Sequence, residues 1–191
     1  MREALPLGGV AVDPEFGLAA PQRRDQLTFD AFCETHEQAW LAAARACRLS
    51  DEQAHAVVDA VRDWLWGDWQ MLLREPAPAA SAWRVLKEEI SRAGLAATAD
   101  GDQHGPQDQW RVAIRTAMHR MHMGFASDVL GTYEAILSLP ERQQDVIILR
   151  YALDLRDETV AEYLDSTVVT VRSHARHAES RLKEKLARRN A

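Results

Sequence analysis

The chain is poor in the residues that most catalytic and metal chemistry needs. Cys33 and Cys47 are its only cysteines, and they form no Cys-x-x-Cys pair. A disulfide framework or thiolate zinc site is therefore not expected; two reduced thiols in an intracellular core are. Apolar residues never run on for the ~20 positions that a membrane-spanning helix requires, so no membrane partner is expected. Residues 1–26 carry Arg2, Glu3 and scattered proline and glycine without a compact apolar run. They read as a disordered tail rather than a signal peptide, and the expected compartment is cytoplasmic. Glycine-rich phosphate loops, Ser/His/Asp groupings and alternating strand patterns are missing too. Glu88 and Glu89 are adjacent, so on a helix they point apart. His119 and His122 lie among Met118, Met121 and Met123 at a spacing that suits a soft metal, but no carboxylate or cysteine completes a site. The sequence thus predicts no catalytic residue, no metal, no cofactor and no enzyme.

What is present is an ordinary globular composition, 47% hydrophobic and 27% charged, with a formal net charge of -6. An acidic protein can meet nucleic acid only through a local basic patch. One exists. From Thr167 to Ala191 there are seven basic residues (Arg172, Arg176, Arg181, Lys183, Lys185, Arg188, Arg189) and two acidic ones (Glu179, Glu184), a local balance of +5. Such a segment concentrates attraction for phosphate in one place. A solvated helix face is the alternative for the part after Leu182.

Helical periodicity dominates the rest, and the fold class expected is all-α. Phe29, Phe32, Trp40, Leu41 and Ala44 form one stripe, with Thr28 as the expected cap. Ser50 is the expected N-cap of a second helix running through Val57, Val58, Val61, Trp64 and Leu65 to Trp69 and Leu72. Glu75-Pro76-Ala77-Pro78 ends it, because proline lacks the amide donor. Ser81-Ala82-Trp83 opens a third helix through Val85, Leu86 and Ile90. Residues 94–109, rich in Ala, Gly, Asp and Gln, read as a flexible linker. From Trp110 the pattern resumes through Ile114 and Met118. This organisation is two small helical domains, 27–93 and 110–191, joined by that linker.

The C-terminal part is the most legible. Pro140 and Glu141 suit the start of a helix continued by Val146, Ile147 and Leu149. Asp157 is the expected cap of a short helix with Val160, Ala161 and Leu164 facing inward. Asp165 stands where the chain must turn, in a left-handed conformation that Asp tolerates. Thr167 is the expected N-cap of the next helix, whose Val171, Ala175, Ala178 and Leu182 form one apolar stripe. Val169, Arg172, Ser173, Arg176 and His177 fall on other faces. Two short helices, a tight turn, and a second helix offering Arg, Ser and His amount to a helix-turn-helix.

Here the sequence resembles a known family. Leu139-Pro-Glu-Arg-Gln-Gln-Asp-Val-Ile-Ile-Leu-Arg-Tyr151 resembles the opening of sigma factor region 4. Val160-Ala161-Glu162-Tyr163-Leu164 resembles its first motif helix, and Thr170-Val171-Arg172-Ser173-His174 the core of its recognition helix. The resemblance implies that this helix reads the -35 promoter element in the major groove, with Val168, Val169, Arg172, Ser173 and Arg176 as contacts. LuxR-type response regulators share the Thr-Val-Arg and His pattern, but normally carry a receiver or ligand domain, which is not seen here. Upstream, Phe29-Asp30-Ala31-Phe32 with Trp40-Leu41 resembles the first helix of region 2 of extracytoplasmic-function (ECF) sigma factors. Val57-Val58-Asp59 with Leu65-Trp66 resembles the second, which implies docking on core RNA polymerase through Val57, Val58, Asp59 and Trp66. Residues 78–87 resemble the start of the helix that melts and reads the -10 element.

The resemblance implies a sigma factor directing transcription initiation, with promoter DNA and core RNA polymerase as partners and an anti-sigma protein as a further one. Asp165, Thr167 and Arg156 depart mildly from the family pattern, and Gln53, His55, Ala60 and Glu88 depart from it more consequentially. The latter four motivate the alternative, a sigma-like DNA-binding regulator that does not itself program polymerase. Trp64, Trp66, Trp69 and Trp83 could stack on unpaired bases, against the alternative that they are core.

Overall fold

The computed structural model describes residues 20–98 and 134–189, and its regular elements there are all helical. Most of the tail, the linker beyond residue 98, the helix expected from Trp110 and the His119/His122 group lie outside the described residues. Helix α1 spans Ala20–Ala46, so it begins before Leu27, inside the stretch expected to be tail. Gln22 to Gln26 are adequate helix formers without apolar periodicity, and Pro21 is tolerated in a first turn. Thr28 is accordingly not a cap. Its hydroxyl donates to the Asp25 carbonyl (2.9 Å) and accepts from Trp69 Nε1 (3.1 Å). The helix ends with Arg48 at φ 67°. There the Leu49 amide donates to Ala44 O (3.3 Å) and the Arg48 amide to Arg45 O (3.0 Å), which closes the last carbonyls as a Schellman motif.

Helix α2 spans Asp51–Gly67 behind a full capping box: the Ser50 hydroxyl accepts from the Gln53 amide (3.2 Å), and Gln53 Oε1 accepts from the Ser50 amide (2.9 Å). The expected run to Leu72 breaks at Asp68, and Trp69–Leu72 forms a separate turn, α3. Helix α4, Pro78–Thr98, starts at Pro78 rather than at Ser81. Proline is pre-set for a first helical turn. The helix runs on through Gly94 into the expected linker, since Leu95, Ala96 and Ala97 favour helix.

After the helical residues 134–137 come α5 (Glu141–Ile147), a π-helical turn (Ile148–Ala152), α6 (Asp157–Tyr163) and α7 (Val168–Arg189). The apolar stripes meet as expected. Trp40, Leu65, Leu86 and Ile90 are fully buried among the N-terminal helices, and Ile136, Val146, Ile147, Leu149 and Leu182 among the C-terminal ones. Each such side chain stabilises the fold by about 1.5–3 kcal/mol. Both cysteines are buried free thiols, and burial pushes Cys33 up to about 11 and raises Cys47 as well, so both remain inert hydrophobes.

The two sets of helices also pack on each other. Tyr163, at the end of α6 and 2% exposed, inserts between α1 and α4. Its ring lies 5.3 Å from His36 and 5.8 Å from Trp83. Its hydroxyl and His36 Nδ1 are 3.0 Å apart, with the O–H donating when the imidazole proton is on Nε2. Beside it, Lys87 of α4 donates to both oxygens of the buried Asp145 (3.1 Å) and to Glu141 (3.1 Å). Burial raises the Asp145 carboxyl, while Lys87 pulls it down, Glu141 raises it and the Trp83 indole lowers it. A half-buried pair of this kind is weak in net terms, but removing one partner strands the other charge.

Burial lowers the pKa of His36. The folded imidazole is thus harder to protonate than the unfolded one, whose pKa is about 6.5. Its penalty is absent above that value and grows as pH falls below it. Asp145 titrates in the opposite sense, so the test compares variants. On going from pH 7.5 to 5.5 the melting midpoint of the unaltered chain is expected to change less favourably than that of His36→Asn, which leaves Asp145 in place. Equal pH dependence in both proteins would contradict the assignment.

Candidate nucleic-acid interface

Helix α6 stops because its last carbonyls are satisfied from outside the helix. The Ser166 amide donates to Ala161 O (2.9 Å) and the Asp165 amide to Glu162 O (3.3 Å), while Arg142 Nη1 donates to Leu164 O (2.6 Å). Asp165 takes φ 44°, the left-handed turn residue read from the sequence. Thr167 then caps α7: its hydroxyl oxygen accepts from the Thr170 amide (3.2 Å). Asp157, by contrast, is not a side-chain cap. It is the first residue of α6, behind Arg156, and its carboxylate is taken by two arginines, Arg150 Nε at 3.1 Å and Arg172 Nε at 2.7 Å. Charge-assisted bonds to guanidinium outcompete a neutral backbone amide.

On α7, Val171, Ala175 and Ala178 are fully buried, followed by Leu182 and Leu186. Ala175 and Ala178 have no bulk beyond Cβ, which lets the helix approach α5 and α6 closely. The far half of α7 is tied to the domain by Arg181, which donates to Gln143 Oε1 (3.2 Å), by Tyr151, which donates to Glu179, and by Lys185, which donates to Ser138. The opposite face is open. Val169 is 74% exposed, and Arg172, Arg176 and His177 are exposed beside it. An exposed β-branched residue at the front of a helix, flanked by two guanidinium groups, can meet a thymine methyl, guanine edges and phosphates.

The residues read from the sequence as DNA contacts do not all share this face. Val169, Arg172, Ser173, Arg176 and His177 do, with Ser173 half-buried between Val169 and His177 one turn away on either side. Val168 is half-buried against the core and serves packing first. Among the residues expected to touch polymerase, Val57 and Val58 lie in the core at 4% and 2% exposure. They are on the inward face of α2, packed in the core, and are not available to a partner. Asp59 and Trp66 are exposed, one above the other on the outer face of α2. Of the tryptophans, Trp69 and Trp83 are core. Trp64 lies beneath the Arg84 guanidinium at 5.7 Å, and Trp66 packs one edge on Phe29 at 5.0 Å. Among the described residues no cluster of His, Cys, Asp and Glu could hold a metal ion, and no helix is long and apolar enough to cross a membrane.

Sequence reasoning missed the Arg150–Asp157–Arg172 group. Asp157 looked like a cap, and nothing in a one-dimensional pattern brings the π-helical turn beside α6 and α7. It missed the His36–Tyr163 contact for a similar reason, since the two residues are 127 positions apart.

Residues 132–182 match the family model described as Sigma-70, region 4. The match covers a little over a quarter of the chain, from the helical residues before α5 through most of α7. No curated protein and no solved structure matches the chain.

At Asp165 a non-glycine residue bears a positive φ. Replacing it with glycine relieves that strain and loosens the unfolded chain by a comparable amount. Asp165→Gly is therefore expected to change stability by less than about 1 kcal/mol and to leave α7 in place. Asp165→Val is expected to cost about 1–2 kcal/mol in denaturant unfolding. A valine variant as stable as the glycine one would contradict the left-handed assignment.

Proposed function

We propose that this chain, which carries a sigma-70 region 4 domain at residues 132–182, is an RNA polymerase sigma factor of the extracytoplasmic-function type. In this reading α7 binds promoter DNA, the N-terminal helices hold core polymerase, and polymerase does the chemistry. The observation that carries the DNA half is the division of α7. Its apolar stripe is locked into the domain, while Val169, Arg172, Arg176 and His177 stand clear on the other side. A helix of that diameter fits the major groove of B-form DNA. The local balance of +5 within a chain of net charge -6 favours DNA at this end of the molecule.

For the polymerase half, the supporting feature is the outer face of α2. Glu52, His55, Asp59, Asp63 and Trp66 are all exposed there at helical spacing. A mostly acidic stripe ending in a tryptophan that is 45% exposed has the composition of a protein contact with one aromatic anchor. The residues that hold the polymerase are then Asp59 and Trp66, with Val57 and Val58 supporting them from below. An anti-sigma partner and a cytoplasmic location belong to the same reading.

One observation favours a second reading, a DNA-binding regulator that does not program polymerase. The α4 face bearing Trp83 and Lys87, on the helix whose start resembles the -10 reader, is covered by α5 and α6. In vitro transcription with core enzyme across a promoter library separates the two. The sigma reading expects promoter-dependent transcripts and comigration with core enzyme, both reduced by Trp66→Ala. DNA binding without either result would establish the second reading instead. In both, Arg176→Ala is expected to weaken DNA binding across sequences and to lower the salt slope by about one, measured by titration at several salt concentrations.

A further inference from the structure

We infer that Asp157 is a positioning residue for Arg172, and that through it Asp157 governs which sequence α7 selects rather than how tightly the chain holds DNA in general. The inference rests on the reading of α7 as a DNA-binding helix. Asp157 sits at the start of α6, the helix that does not itself carry the exposed DNA face. Its side chain is only 11% exposed, yet it bonds a residue of that face whose own side chain is 58% exposed. The contact is Arg172 Nε to Asp157 Oδ2 at 2.7 Å. The second carboxylate oxygen is held by Arg150 Nε at 3.1 Å, so the carboxylate cannot swing to follow Arg172. Arg150 in turn lies over the Tyr151 ring at 5.3 Å, and Tyr151 donates to Glu179 on α7. The anchor is thus held by Arg150, itself packed on Tyr151, before DNA arrives.

A guanidinium is planar and presents two usable edges. With Nε committed to Asp157, the edge left for DNA is the terminal Nη1/Nη2 pair. That pair matches the two acceptors of guanine in the major groove. An arginine free to rotate contacts phosphates and bases alike; one held at Nε has its direction decided in advance, which lowers the ordering cost of the specific contact alone.

The charge of Asp157 makes the inference testable by sign. A carboxylate near DNA repels phosphate, so if Asp157 were only a charge, removing it would tighten binding to every sequence. If it positions Arg172, removing it weakens binding to the selected sequence only.

The experiment uses the full chain. A random-sequence duplex pool is passed over it, the retained fraction is sequenced, and affinities are measured at fixed salt for the most enriched duplex and an unrelated duplex of equal length. Asp157→Asn is expected to lose about ten-fold affinity for the enriched duplex and to keep or gain affinity for the unrelated one. In the Arg172→Ala background the same change is expected to alter the enriched affinity by no more than about two-fold, because the two residues act as one unit. Asp157→Glu keeps the charge and displaces the carboxylate by one methylene. It is expected to re-rank the enriched sequences, which keeps the test open if the Asn variant folds poorly. Equal tightening on both duplexes, or an undiminished Asp157→Asn effect without Arg172, would overturn the inference. Failure of the unaltered chain to retain or enrich any duplex would instead remove the DNA reading on which it stands.

Discussion

Ala175 and Ala178 bring α7 against the domain beneath it, and the rest of the C-terminal structure depends on that approach. Larger residues at either position would lift the helix off α5 and α6. With the helix seated, its angular register is fixed, and the register decides which side chains face out. Val169, Arg172 and Arg176 are exposed because Val171, Ala175 and Leu182 are not. The tight turn at Asp165 and the Thr167 cap set where the helix begins, so its first turn, rather than its middle, leads the exposed face.

The second organising contact joins the C-terminal helices to the N-terminal ones. Tyr163 packs its ring on Trp83 and His36 and shares a hydrogen bond between its hydroxyl and His36 Nδ1. Next to it the Lys87–Asp145 pair fixes α4 against α5. The aromatic part supplies most of the favourable energy through burial. The ionic part costs desolvation and returns orientation. Tyr163 belongs to α6, the same short helix whose first residue holds Arg172, so α6 touches both the N-terminal helices and the candidate DNA face.

The legible parts of this fold were those with local causes. Ser50 with Gln53, Asp165, Thr167 and the Val171–Leu182 stripe each depend on residues within a few positions, and periodicity or capping chemistry finds them. Helix ends that continue past a helix's apolar stripe were misjudged, as at Ala20 and at Leu95 to Thr98. Propensity without a stripe extends a helix silently. The exposure of Val169, Arg172, Arg176 and His177 was legible because these positions are the complement of the stripe. Val168, Val57 and Val58 were misplaced because a resemblance between linear motifs carries no information on which way a side chain points. Asp157 was misread because its partners, Arg150 and Arg172, come together only in three dimensions.

The burial of Tyr163 has a thermodynamic consequence for any partner. A ligand that needs this tyrosine, or the face of α4 it covers, to be free can bind only the fraction of molecules in which the contact is broken, and its apparent affinity is scaled by that fraction. A ligand that leaves the contact alone carries no such factor. Tyr163 therefore weighs only on ligands of the α1 and α4 faces it covers, and a duplex on the open face of α7 carries no such factor.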